Sequence, residues 1–578
     1  MLPRARIRLG RPSVAAGLTA SLSIGLWIGS AGSPMAIEEP LIADLVVISA
    51  NIITVDGRNP RADALAVRDG KFVSVASEAD IRSLIGPNTE IIDARGRTVV
   101  PGFIDAHMHP RPTYPVTSRL GRADLSPDNV QTMQDVVAAL AQKAAITPAG
   151  EWVVGTRYQD TKLGRHPNRS DLDQASTAHP IYITHSSGHV SAVNSIALEM
   201  AAINSTTADP PGGGFERDDQ GDPTGVVWEN AIGAILKAGP PLPEATRDER
   251  AQGIERTFEA FLSAGITSVV DAGSGPAAFR MYQDAAEQGQ PVRVSMMFEV
   301  GHLPALRALG LRTGFGDDHL RIGAIKGFHG NSLSGRTCWL YEPYEINNPK
   351  TGERDYYGIP PGRSQEDLDA MILEIHEAGF QAAIHSNGDR EIDMVLDALE
   401  RALDRRPRED HRHRIEHASI VNPTILRRVK ELGVVLALHS YIYEHGDKME
   451  AYGAARWKMM HANRSALDLG IPVAGNSDYG VSGADPMLRI QSMVTRASAE
   501  GKVYGAEQRI SVEEAIGVWT LGGAYSTFDE KVKGSIEADK LADFVILSAD
   551  PTRVAAATIK DIAVDMTFID GKVAYARQ

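Results

Sequence analysis

The stretch "PGFIDAHMHP" (residues 101–110) carries an apolar, strand-like run, Val99 to Ile104, into Asp105, His107 and His109. Residues two apart on a strand point to the same side, so the imidazoles of His107 and His109 can face one centre together as metal ligands. Further polar residues close apolar runs later in the chain: Lys326 in "RIGAIKGF", His385 in "QAAIHSNGD", His417 in "HRIEHASI" and Asp478 in "IPVAGNSD". A lone histidine at a strand end is more often a hydrogen-bonded structural residue than a ligand. Imidazoles together with a carboxylate are what zinc, manganese or iron sites use, so the set points to metal chemistry more sharply than any member does. Lys326 poses a separate problem, because its neighbours would bury an ammonium unless it were paired or modified. A neutral lysine can combine with carbon dioxide to form a carbamate, which binds metal as a carboxylate does. A salt bridge to Asp478 or to substrate is the plainer alternative.

These residues need a scaffold that gathers strand ends. Between residues 101 and 525, apolar strand-like runs such as "ITSVVDA", "RVSMMFEV" and "GVVLALHS" alternate with helical patterns such as "SQEDLDAMILEIHEAG" and "NPTILRRVKELG". Strand, helix, strand at this spacing predicts parallel βα units, enough of them for a (β/α)8 TIM-like barrel whose functional groups collect at the C-terminal strand ends. A doubly wound open sheet is the alternative, but no G-x-G-x-x-G follows an early strand. Residues 121–240 fit the alternation poorly and are expected to be an insertion that could cover the barrel mouth. Short β-branched runs fill residues 37–100 and again 526–578, with Asp69-Gly70 and Asp570-Gly571 as hairpin turns. They predict a small β-sandwich domain built from both chain ends, within an α/β protein.

Composition narrows the function. With 59 Lys and Arg against 74 Asp and Glu, the net charge of −15 opposes binding to nucleic acid or to an anionic membrane. The 578 residues, 43% of them hydrophobic, can furnish a large core plus a second, smaller one. A single cysteine, Cys338, excludes an intramolecular disulfide framework and any cysteine-rich zinc site. In residues 1–36, Arg4, Arg6, Arg8 and Arg11 precede an apolar stretch from Val14 to Ile28 and then small residues. This pattern is expected to be a signal peptide for export to the periplasm or medium, cut between Ala31 and Ala36. The apolar run falls short of the roughly 20 residues a spanning helix needs, and no later span is expected in the mature chain.

With these motifs in hand, the chain resembles the amidohydrolase superfamily, and within it the family 3 group of N-substituted formamide deformylase-like and YtcJ-like proteins. The likeness extends from about residue 41 to the end. "PGFIDAHMH" resembles the family's opening strand, "PIYITHSSGHVSAVNSIAL" and "GGGFERDDQGDPTGVVWENA" its inserted segment, and "KGFHGNSLSGRT" its lysine strand. "QAAIHSNGDREIDMVLDAL" and "HRHRIEHASI" are similar to the later histidine strands, "AGNSD" to the aspartate strand, and "GSIEADKLADFVILSADP" to the closing sheet segment.

The resemblance implies a site with one or two divalent metals, zinc first among them. His107 and His109 would hold one, His385 and His417 the other, and a carbamylated Lys326 would bridge. Asp478 would ligate and serve as base for a metal-activated hydroxide that attacks a carbonyl carbon. His189 is a candidate for contacting substrate or stabilising the oxyanion, and Arg336 for binding substrate, each with a purely structural role as the alternative. The implied protein is a hydrolase of small molecules, acting on carbon-nitrogen bonds other than peptide bonds in an N-acyl or N-formyl compound, in a family that often forms homodimers. Deamination, hydrolysis of a cyclic amide or ester, or a non-catalytic exported binding role are the competing readings.

The chain also departs from the family pattern. His329, Gly330 and Asn331 stand where an Asp-Gly pair is usual, Ser186-Ser187-Gly188 precede His189, and His439-Ser440 replace a Gln-Pro pair. With His445 and Asp447 nearby, this last segment is expected to be a solvated loop, with an altered substrate loop or an extra metal contact as alternatives. Nothing marks Cys338 as a nucleophile.

Overall fold

The computed structural model describes residues 42–127, 129–211, 213–348 and 351–578; the expected signal peptide, residues 1–36, lies outside the described residues. Eight parallel strands form the central sheet: β1 (Phe103–Met108), β2 (Ile266–Ser274), β3 (Arg293–Glu299), β4 (Leu320–Phe328), β5 (Ala382–Ser386), β6 (Arg414–His417), β7 (Val435–His439) and β8 (Val473–Asn476). Each pairs with the next. Most of them are rich in apolar residues because both faces of the sheet are covered, although β6 is Arg-Ile-Glu-His. The helices start where the sequence supplies caps. Ser364 accepts from the Asp367 amide ahead of Gln365–Glu377, and Asn422 followed by Pro423 opens Pro423–Leu432, which Gly433 ends at φ 67°.

The barrel closes between β1 and β8 through residues just past the last strand. The Asp478 amide donates to the His107 carbonyl at 3.0 Å, and the His109 amide to the Tyr479 carbonyl at 2.9 Å. The Asp105 carboxylate accepts the Ser477 amide at 3.2 Å. Sealing the barrel therefore places the histidines of the first strand against the aspartate that follows the last.

Segments from both chain ends build two further sheets. Leu45–Ile48, Ala64–Arg68, Lys71–Ala76 and Glu90–Asp93 form one; in the other, Phe544–Leu547 lies antiparallel to Thr98–Pro101. Val47, Leu65, Phe72, Val99, Phe544 and Phe568 share one core between them. Both expected hairpin turns are present, with Asp69 and Gly70 at φ 51° and 76° and Asp570 and Gly571 at φ 51° and 68°. The turns meet: a β-carbon on Gly571 would lie 2.5 Å from Val67, and one on Gly70 3.2 Å from the Asp570 β-carbon. Residues 121–240 hold a six-stranded mixed sheet with its own core around Leu125, Leu140, Val153 and Ile183. Its antiparallel hairpins explain why the βα alternation fails there. Among the described residues, no helix is long and apolar enough to cross a membrane.

Arg293, at the first position of β3, joins barrel to small domain. Its buried guanidinium donates to both Asp543 oxygens at 2.7 and 2.9 Å and to Asp570 at 2.5 Å. Asp543→Ala removes two of the three hydrogen bonds from the buried guanidinium to carboxylates and leaves only Asp570, so it should lower the unfolding free energy by about 1–3 kcal/mol, seen as an earlier urea midpoint. The double change Arg293→Met with Asp543→Ala should cost less, since the buried guanidinium is gone and the Asp570 carboxylate left behind is partly exposed to water. An unchanged midpoint in Asp543→Ala would show that this pair does not hold the two parts together.

Candidate metal centre

At the C-terminal end of the barrel, His107 from β1 and His109 just beyond it present perpendicular rings 5.4 Å apart. Asp478 enters from the residues after β8, with Oδ1 3.4 Å from His109 Nε2 and 3.8 Å from His107 Nε2. One donor atom from each of these residues falls within 4.8 Å of the others, and the same holds for His417, His439 and Asp478. Asp478 Oδ1 is buried and has no hydrogen-bond partner. A buried carboxylate oxygen left unpaired is costly, and a cation between Asp478 and the two imidazoles removes that cost. The donor set, imidazoles with a carboxylate and no thiolate, therefore fits a divalent metal.

The backbone is held in unusual conformations here. His417 has φ 73° and Asp478 φ 51°, left-handed values that cost a non-glycine residue roughly 1–3 kcal/mol and cluster at functional sites. Burial keeps the imidazoles in the neutral, ligating form: it pushes His107 and His385 well below the usual histidine range and His417 down to about 4. Burial acts to raise the Asp478 pKa, but His109, His417 and His107 around it outweigh burial and hold it well below the carboxylate range.

Glu416, not among the strand-end histidines, is a further residue of the site. Fully buried, it takes the His107 Nδ1 proton as its partner and is itself held by Arg414 at 2.5 and 3.0 Å. A carboxylate on Nδ1 fixes the tautomer that leaves Nε2 free as the ligating nitrogen. The signal in the sequence was a charged pair, Arg414 and Glu416, two apart on the short strand that ends at His417.

Lys326 lies fully buried beneath the cavity. Its Nζ donates to the Ala272 carbonyl at 3.1 Å, sits 3.4 Å from His107 Nε2 and lies 4.6 Å from the Phe328 ring centroid. It thus meets a carbonyl and His107 rather than Asp478. Burial pulls its ammonium down to about 8, against the opposing charges of Glu416 and Asp478.

Above these residues opens a cavity lined by His189, His385, Asn387, His417, His439 and Asp478 among others. The His385 ring is 4.7 Å from that of His417, and its Nε2 faces the Asn331 carbonyl at 3.1 Å. His189 reaches the rim from the insertion, its Nδ1 2.8 Å from Glu229. Arg336 is turned to Asp160 of the insertion at 3.1 Å, where Lys448 and His185 also converge at 3.0 and 3.1 Å. The expectation of a solvated loop after β7 is corrected: His439, Ser440 and His445 are buried, and residues Ile442–Met449 are helical. Hydrophobic packing of Tyr441, Ile442 and Met449 against Leu333 and Tyr344 draws this segment inward. Cys338 is buried beside Tyr344, and burial pushes its thiol pKa up, away from nucleophilic use.

Comparison with known proteins agrees with this geometry. The chain is 28% identical over 550 residues to N-substituted formamide deformylase of Arthrobacter pascens, covering 92% of this chain and 98% of that protein. It is 28% identical over 539 residues to the putative amidohydrolase YtcJ of Bacillus subtilis, covering 91% and 98%. An uncharacterized metal-dependent hydrolase from Pyrococcus furiosus superposes with a TM-score of 0.65 at 25% identity, covering 88% of this chain and 100% of that one. The sequence profile of the amidohydrolase family matches residues 90–575. A barrel that closes with two histidines against an unpaired aspartate, and a family match over nearly the whole described chain, lead to one conclusion: this protein belongs to the amidohydrolase family.

Proposed function

We propose that this metal-dependent hydrolase cleaves the C–N bond of a small N-acyl or N-formyl amine. The observation that carries the reading is the buried, ionised Asp478 carboxylate set against His107 and His109. Similarity to an N-substituted formamide deformylase supports the substrate class. Two imidazoles and one carboxylate, leaving positions for water and substrate, suit zinc in a catalytic setting, and zinc is the metal we propose. When bound there, such a metal supplies carbonyl polarisation and acidifies water.

The chain's own residues supply the rest. Asp478 is placed to take a proton from the attacking water and return it to the leaving nitrogen as the C–N bond breaks. Glu416 holds the His107 ring so that its Nε2 faces Asp478. His189, oriented by Glu229 on its Nδ1, presents its other edge to the cavity and would contact the substrate carbonyl or its leaving group. The insertion and the buried segment after β7 both line the cavity, the one through Ser187 and His189 and the other through Tyr441 and His445. Lys326, lowered to about 8, has a neutral amine available to attack carbon dioxide, lose a proton and become a carbamate beside His107. The arginine-rich and then apolar leader supports export of the enzyme.

Treatment with a chelator should abolish hydrolysis of N-formyl and N-acyl amines, and added zinc should restore it. Asp478→Asn should lower kcat by about 10²–10⁴-fold while the far-ultraviolet circular dichroism stays that of the wild type. Full activity in protein shown by elemental analysis to be metal-free would refute the reading, and turnover confined to cyclic amides, esters or amino-substituted rings would move the substrate class.

Carbamate formation follows the neutral amine, whose share grows from pH 7 to pH 8 because burial lowers the Lys326 pKa to about 8. At fixed dissolved carbon dioxide, reactivation of metal-depleted enzyme by zinc should therefore run faster at pH 8 than at pH 7, with a carbamate signal from ¹³C-bicarbonate. Neither should appear in Lys326→Arg. Wild-type enzyme that reactivates without taking up the label would remove the carbamate.

A further inference from the structure

We infer that His439 is a metal ligand: with His417 and Asp478 it forms a second metal position, fed by β7, a strand that supplies none of the six ligands the family resemblance implies. The inference rests on the metal-dependent reading above. Donor atoms of these three buried residues lie within 4.8 Å of one another. His417 and His439 occupy the last positions of β6 and β7, neighbouring strands of the barrel, and both line the cavity. His439 Nε2 lies 2.9 Å from the Ser477 carbonyl. A carbonyl only accepts, so Nε2 carries the proton and Nδ1 the lone pair, which is how metal-binding imidazoles are held by a neighbouring acceptor. The Tyr441 ring packs against the imidazole, 4.0 Å away between centroids.

A purely structural His439 would need only its bond to Ser477. It would not need a buried place within ligand distance of two other donors. The remaining candidates are turned elsewhere: His385 Nε2 faces Asn331 and Asn387 at 3.1 and 3.2 Å, and Lys326 Nζ stands on the His107 side of the site. Asp478 belongs to both triads, so its carboxylate would join the two metal positions whether or not Lys326 is modified.

Two measurements test this. In crystals of the wild-type protein grown with zinc, anomalous difference density should show two peaks, one of them about 2.0–2.1 Å from a His439 nitrogen. In chelator-competition titrations with zinc, His439→Gln should keep the tighter equivalent and bind the other about 100-fold more weakly or worse. Zinc peaks that leave His439 uncoordinated, or two equivalents bound by His439→Gln with wild-type affinity, would overturn the assignment and leave the hydrolase reading intact. A variant that loses both equivalents is decided by the wild-type crystals. No zinc in the wild-type site would overturn both readings.

Discussion

The site depends on how the barrel is sealed. Asp105 and Ser477, 372 positions apart in sequence, join through a buried carboxylate and a backbone amide, and next to them the Asp478 amide binds the His107 carbonyl. This seam replaces an ordinary strand ladder with a mixture of main-chain and side-chain contacts. It brings His107, His109 and Asp478 together only when all eight strands are in register. Burial raises the Asp105 carboxyl to about 7 even with its amide partners, so the seam itself is polar, desolvated and expensive. Such a cost is sustained where the surrounding structure fixes every neighbour.

A second constraint follows from placing charge inside an apolar barrel. Asp478, Glu416, Lys326, Arg414 and Arg489 are all buried at this end. Glu416 and Arg414 neutralise each other while orienting His107. Arg489 pairs with Glu444 of the helix that follows β7. Asp160 of the insertion gathers Arg336, Lys448 and His185. The last two pairings join elements from different parts of the chain.

Much of this was legible in the sequence. Strands buried on both faces, capped helices between them and polar residues at the strand ends identified the barrel, because period and composition are local properties. The hairpins at Asp69-Gly70 and Asp570-Gly571 were legible for the same reason, since their turns demand positive φ. The internal sheet of residues 121–240 was not, because its pairing is non-local and mixes parallel and antiparallel strands. Glu416 went unrecognised because its role appears only once β6 lies beside β1's histidine across the barrel. His439 stood out in sequence as a departure, yet its surroundings suggested a loop; the apolar contacts of Tyr441 and Ile442 that bury the segment come from the long connection after β4.

The most direct test is the metal content of the protein as isolated, measured by elemental analysis beside a His107→Ala, His109→Ala double variant whose circular dichroism matches the wild type. The account predicts a stoichiometric divalent transition metal in the wild type and its loss in the variant. A wild-type protein that is metal-free and yet hydrolyses amides, or a double variant that retains the full metal content, would contradict it.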